Sequence, residues 1–362
     1  MAASVTKEGP YYSSGSISFS SLRSNFKEAG SGSISASELR RNTTVTNTNP
    51  IVPDATENSN ISTSSNLAIS QFRNSIKFYY ITQTGTDVNF DIDAQSWNGN
   101  LTKNIRKWMY INGTCGSNSV SSTAADFNTT AYNLTVDVSG GIYGASGAGG
   151  TGATISGGSG GPALSMNSSG GNNIVVFVRS SANIYGGGGG GEKGATGAAG
   201  SPGTCTDSYT ASNCGGCPGC ASGYVEGGCW SAGECARRQV CNWWGNCWWE
   251  ASAWTHYRTC TRTYGVSGGT GGEGGNGGPG RGYNNAGSLA GAGGAAGGPN
   301  NGCGSTNGAT GETGGSGGDW GSSGGNTTNS GNGGSSGRAI SGSNYTVTGT
   351  INSSTIKGLY LP

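Results

Sequence analysis

Charge is scarce in this chain. Only 10% of its 362 residues are Asp, Glu, Lys or Arg, and 19 basic residues stand against 18 acidic ones. No Lys/Arg cluster or stripe appears, which argues against nucleic acid as a partner. Apolar residues make up only 32%, so a single large greasy core is excluded. No run approaches the roughly 18 apolar residues of a membrane helix. The opening MAASVTKEGP has no apolar stretch of secretory type, which is read as a protein made in the cytosol and released by lysis.

Catalytic and metal-binding groups are sparse as well. His256 is the single histidine. Two G-x-S-x-G matches, at 157–161 and 314–318, sit in Gly/Ser-rich sequence without a preceding strand. Gly191-Glu192-Lys193-Gly194 lacks the Gly-Lys-Ser/Thr of a phosphate loop. Asp87, Asp91 and Asp93 lack calcium-loop spacing and read as a solvated strand face. No enzyme, no cofactor and no metal are expected.

Glycine is abundant, at 74 residues, all but ten of them within 140–342. It recurs every third residue at 141–150, 191–203, 268–280, 291–297, 308–317 and 331–337. That is the period of the extended polyproline II helix, which has no internal hydrogen bonds. Each buried main-chain group must then find a partner in another segment. Without a Cβ, such rods can approach closely, and the third residue (Thr270, Glu273, Asn276) can face solvent. A collagen-like trimer and a flexible linker are the alternatives. Nine prolines in the whole chain weigh against collagen. Tyr283, Leu289 and Trp320 interrupt the runs and weigh against a linker.

The expected fold class is mostly β and irregular: a small β layer, a packed polyglycine II lattice and a Cys/Trp-rich disulfide-type insertion. The expected boundaries are 1–65, 66–139, 140–342 with the insertion at 205–260, and 343–362 as a strand returning to the β layer. In the first part Ile17-Ser18-Phe19-Ser20-Ser21-Leu22-Arg23 recurs as Ile34-Ser35-Ala36-Ser37-Glu38-Leu39-Arg40, with an echo at Ile69-Ser70-Gln71-Phe72-Arg73. Serines can cap such short turns. Ile17, Phe19, Leu22, Arg23, Ile34, Leu39 and Arg40 are candidates for docking onto another protein. Residues 76–92 read as a hairpin about Thr84-Gly85-Thr86. A second repeat joins a strand to Ile-x-Gly: Val136 to Ile142, Val175 to Ile184, and Val347 to Ile356.

Nine of eleven cysteines lie in 205–260: Cys205, Cys214, Cys217, Cys220, Cys229, Cys235, Cys241, Cys247 and Cys260. A disulfide scaffold is the favoured reading. An iron–sulfur or thiolate zinc site at Cys214-x-x-Cys217-x-x-Cys220 is the alternative. The odd count leaves one cysteine for Cys115, Cys303 or a free thiol. Trp243, Trp244, Trp248, Trp249 and Trp254, with Tyr257, form either a structural ladder or a sugar-stacking surface. Tyr283, Asn284, Asn285 and Trp320 are candidate contacts in the tips between glycine runs.

These glycine runs, joined by short polar or aromatic loops, resemble the receptor-binding tail-fibre tip adhesins of T-even-type phages. ISFSSLRSNF and ISASELRR resemble segments near the N-termini of tail and structural proteins of cyanophage-type marine viruses. The clustered Trp followed by Arg258-Thr259-Cys260-Thr261-Arg262 is faintly similar to a thrombospondin type 1 repeat. The resemblance implies a phage tail adhesin, located in the virion and extracellular after host lysis. The implied partners are other tail proteins, a host cell-surface glycan or outer-membrane protein, and a further copy of the chain. The alternative is a purely architectural virion or extracellular filament subunit.

Overall fold

Short runs of β-branched and aromatic residues, each bounded by Asn, Ser or Gly, build the strands. A computed structural model describes residues 4–8, 15–18, 20–22, 35–37, 39–41, 52–64, 66–152, 154–169, 173–287, 303–328 and 331–360. The chain is mostly β, with parallel sheets and a disulfide-bonded Cys-rich region. It divides into two compact units: Met1–Ala195 with Gly275–Ala292 and Thr313–Pro362, and Thr196–Gly274 with Gly293–Glu312.

In the first unit the strands coil instead of forming one layer. A first face stacks Phe78–Gln83, Arg106–Ile111, Leu134–Val138, Val175–Val178 and Thr346–Gly349 in parallel. A second stacks Thr86–Val88, Thr114–Gly116, Gly141–Tyr143, Asn183–Tyr185 and Ile356–Lys357. A third stacks Phe90–Asp91, Ala125–Phe127, Leu164–Asn167 and Ile340–Ser343. The chain visits the faces in that order, so each circuit adds one strand to each sheet, as in a parallel β-solenoid. The expected hairpin at 76–92 is therefore corrected: Phe78–Gln83 and Thr86–Val88 belong to different faces. Thr84-Gly85 makes a corner. The corners stack so tightly that a Cβ on Gly113 would lie 2.1 Å from the Gly85 carbonyl oxygen, and one on Gly140 2.0 Å from that of Gly113.

Side chains alternate across each strand, and the inward set aligns from circuit to circuit. Ile81, Met109, Val136, Val176 and Val347 form one column, and Cys115, Ile142, Ile184 and Ile356 another. These columns lie in the main core. Asn133, Asn173 and Asn344 occupy one register position just before the first face, with φ of 52°, 59° and 61°. Asparagine tolerates this left-handed conformation. Asn173 Nδ2 donates to Asn133 Oδ1 at 3.0 Å, and Asn133 Nδ2 to Asn104 Oδ1 at 2.7 Å.

One corner carries the glycine. Between the second and third faces the chain has residue 89 alone in the first circuit, then 117–124, 144–163 and 186–339 in turn. The expected boundaries at 139 and 343 thus do not separate compact units, because strands from both sides pair in register.

The chain from Tyr185 to Glu192 is ringed by other glycine-rich segments. Its N–H groups donate in rotation: Gly187 and Gly190 to the carbonyls of Gly161 and Gly158, Gly188 and Gly191 to Arg281 and Gly278, Gly189 and Glu192 to Ser322 and Gly325. Its carbonyls accept in the same rotation. Tyr185 and Gly188 accept from Gly144 and Gly147, Gly186 and Gly189 from Gly321 and Gly318, and Gly187 and Gly190 from Gly337 and Gly334. A Cβ on Gly187, Gly189 or Gly190 would stand 1.7–1.8 Å from a neighbouring carbonyl oxygen. Thr270, Glu273 and Asn276, the third residues of their triplets, are exposed. The run at 291–297 lies outside the described residues.

The Ser-rich repeats fold onto their own small core. Leu22, Leu39 and Phe72, the equivalent positions of the three copies, are buried together with Val52 and Ile61, and Ile17 packs against them. Ser18 Oγ accepts from the Ser21 N–H at 3.1 Å. Leu22 and Leu39 are 0% exposed, so as docking residues they are corrected: their apolar surface is already used within the unit. Arg40 is half-buried. Phe19, Arg23 and Ile34 lie outside the described residues.

In the second unit Gly203–Cys214, Val225–Cys241 and Cys247–Val266 form an antiparallel ribbon with the third strand in the middle. At its base three glycine segments bond in a cycle: Gly197 and Gly200 donate to Gly272 and Gly269, which donate to Ala309 and Thr306, which donate back to Ala198 and Ser201.

Candidate functional site

The ribbon has too few aliphatic side chains to bury a core, and disulfides take that place. Five bonds join Cys205 to Cys303, Cys214 to Cys235, Cys217 to Cys229, Cys220 to Cys260, and Cys241 to Cys247. All nine expected cysteines are bonded, and Cys303 takes the odd one. The three thiols of C-x-x-C-x-x-C bond to three different partners, so they do not form one ligand set. His256 lies within 4.8 Å of the Cys217 and Cys229 sulfurs. Those sulfurs are bonded to each other, which leaves the imidazole as the donor there. Cys115 is free and buried in the solenoid core. Burial, with the nearby Asp87 charge, pushes its thiol up to about 12.

The aromatic side chains divide into three groups. Some build the ribbon: Trp230 stacks on Tyr257 at 6.0 Å, and the Arg262 guanidinium lies 5.0 Å over Tyr224 and 4.8 Å over Tyr264. Glu226 pairs with Arg258. Tyr257 is thus a structural member and is corrected as a receptor contact.

A second group anchors glycine loops in the first unit. Trp320 packs on Tyr143 at 5.3 Å and Tyr185 at 5.9 Å, and the Arg281 guanidinium, 5.7 Å over the Trp320 ring, is paired to Asp319. The Tyr283 ring lies where a Gly116 side chain would be. Asn284 Oδ1 accepts from the Ser146 N–H at 2.9 Å, and its Nδ2 donates to the Asn118 carbonyl. Tyr283, Asn284 and Trp320 are therefore corrected from free loop contacts to pins holding the loops. Asn285 is exposed and accepts from the Gly287 N–H at 2.8 Å.

The third group, Trp243, Trp244, Trp248, Trp249 and Trp254, shows no ring-on-ring contact among the described residues and is the most exposed. Asn242-Trp243-Trp244-Gly245-Asn246 closes the hairpin between the bonded Cys241 and Cys247. The Asn242 N–H donates to the Asn246 carbonyl, and the Gly245 N–H to the Asn242 carbonyl. Asn242 Oδ1 accepts from the Trp244 and Asn246 N–H groups at 3.1 and 2.9 Å. Gly245 takes φ +79°, a left-handed conformation that glycine adopts at no steric cost. The turn holds Trp243 at 93% and Trp244 at 83% exposure, with Trp248 and Trp249 just behind at 45% and 62%. Trp254, further down the ribbon, is 50% exposed. Trp248 Nε1 donates to Glu250 Oε1 at 2.8 Å, which fixes that ring.

Sequence reasoning named these tryptophans but not the lock around them. Its signal was present, since Asn and Gly between two cysteines six apart is turn chemistry. No family model, curated protein or solved structure matches this chain.

Proposed function

We propose that the chain is a non-enzymatic bacteriophage tail protein whose stapled ribbon acts as a host-receptor-binding adhesin. The carrying observation is the locked turn that holds Trp243 and Trp244 in solvent. A soluble surface gains nothing from displaying two indoles this way, and exposed aromatic patches mark interaction sites. Each indole offers about 200 Å² of contact, about 5 kcal/mol gross at ~25 cal/mol per Å². The turn is already ordered, so little of that is lost on binding.

In the same reading the glycine segments are packed polyglycine II helices. Main-chain bonds that repeat every third residue to neighbours on all sides support this, because β strands bond in one plane. Such a lattice makes a stiff block. The chain's place is the virion tail, in an oxidising setting that suits the five bridges. The partners are other tail proteins and a host surface component.

A purely architectural subunit is the second reading. It is favoured by Thr346–Gly349, which ends the first sheet with one edge unpaired among the described strands; such edges template further pairing. Two experiments separate them. Purified chain added before the parent particle should block adsorption, and labelled antibody should mark the particle's tail in electron micrographs. Concentration-dependent assembly with Trp243 and Trp244 buried, and no effect on adsorption, would favour the second reading.

A further inference from the structure

We infer that the ligand of the tryptophan turn is a saccharide, whose sugar rings stack on the exposed indole faces. This rests on the adhesin reading and narrows it to one chemical class.

Apart from Val225, Val240 and Val266, the large apolar residues of the ribbon are aromatic. Residues 203–266 contain no Leu, Ile, Met or Phe. A helix or turn that enters lipid mixes Trp with Leu and Phe, and protein interfaces draw on Met beside their aromatics. What surrounds these indoles is planar and polar. Gln239 lies opposite Trp249, and the Arg238–Glu250 pair follows Val240–Trp248 on the other face. Asn242 and Asn246 flank the turn. Among the described residues, no hydrogen bond engages the side-chain nitrogens of Gln239, Asn242 or Asn246, and all three residues are exposed.

That combination suits a sugar. A pyranose presents C–H groups on its faces and hydroxyls around its rim. An indole face takes the first, and amide, carboxylate and guanidinium groups, each able to donate or accept in its plane, take the second. The main chain that carries four indoles within 243–249 is held by the Cys241–Cys247 bond and by Asn242, with Trp248 and Trp249 on opposite faces of the ribbon, so rings can stack without reordering the turn. The charges beside them have both signs, Glu234 with Arg237 and Glu250 with Arg238. This gives no net pull toward an anionic lipid surface.

The test uses the full oxidised chain and three probes: an array of lipid-free bacterial polysaccharides, vesicles of phosphatidylethanolamine with phosphatidylglycerol, and whole host cells. The expected result is binding to at least one polysaccharide, none to vesicles, and at least about tenfold weaker binding by the W243A/W244A chain. That variant should keep five disulfides and an unchanged melting temperature. Periodate oxidation of host cells should abolish binding, and protease shaving should not. Loss of binding after protease but not periodate would overturn the saccharide and leave the adhesin reading standing. Binding to vesicles alone would do the same. Full host-cell binding by W243A/W244A would sink both.

Discussion

The two units meet the same shortage of aliphatic residues in different ways. The coiled unit concentrates the few it has into inward columns such as Met109–Val136–Val176 and lets main-chain bonds organise the rest. The ribbon has almost nothing to bury, with Cys205, Pro218 and Cys260 its buried apolar residues, and relies on covalent bonds. A chain that stabilises itself without apolar surface is free to leave its largest apolar side chains in water. On the proposed adhesin reading, the difference separates a region that supports from a region that presents.

The sharpest way to break this comparison is reduction. Removing one native disulfide from a small domain costs about 2–5 kcal/mol, and five are at stake. A reductant should unfold the ribbon while the solenoid keeps its amide protection, read by hydrogen exchange. Simultaneous loss of protection in both would contradict the separation.

Next in size are two substitutions confined to the coiled unit. Ile184→Ala removes a fully buried rung of the second column and should cost about 3 kcal/mol, seen as a lowered urea midpoint with unchanged disulfides. Gly190→Ala puts a methyl 1.8 Å from the Ala148 carbonyl oxygen. Its cost should also be about 3 kcal/mol, since main chain cannot swing aside as a side chain does. An Ala at exposed Gly228, with nothing within 4 Å, should cost far less.

A smaller effect follows from Lys107. It sits inward between Tyr79 and Leu134, 0% exposed, with Nζ donating to the Lys103 and Ile105 carbonyls at 2.8 Å. Burial lowers its ammonium to about 7. Below that the folded state carries a buried charge. Above it the folded state sheds the proton while the unfolded state holds it to about 10.4. Stability should therefore rise by about 1.5 kcal/mol from pH 7 to pH 8.5, above which the unfolded Cys115 thiol ionises while the buried one stays protonated and the rise levels off. Above about pH 10 the trend reverses, because burial raises the Tyr79 phenol and the unfolded state ionises first. Urea midpoints at pH 7 and pH 8.5 should show the rise in the wild type and lose it in Lys107→Met.

The least effect is a count. Cys115 should stay silent to a thiol reagent in native protein and react as a single thiol after unfolding without reductant.

Much of this was legible in the residues, and the rest was hidden for physical reasons. The Val136–Ile142, Val175–Ile184 and Val347–Ile356 repeat is the solenoid circuit itself, with Val176 rather than Val175 in register with Val136 and Val347, because stacking demands the same inward residue each time. Asn133, Asn173 and Asn344 carried the same message and were overlooked. The corner at Thr84-Gly85 looked like a hairpin turn, since one Gly serves both and only distant pairing tells them apart. The disulfide framework could be foreseen, but its partners could not, because spacing does not encode connectivity. Tyr283 and Trp320 looked as available as Trp243, and no local sequence tells whether a bare glycine surface or another ring waits to receive an aromatic side chain.

The presenting role is tested most directly by adsorption competition with matched chains. The wild type and Asn285→Ala should block the parent particle equally, and W243A/W244A should lose at least about tenfold in potency with its ribbon intact. Equal blocking by W243A/W244A would show that the exposed indoles are not what touches the host.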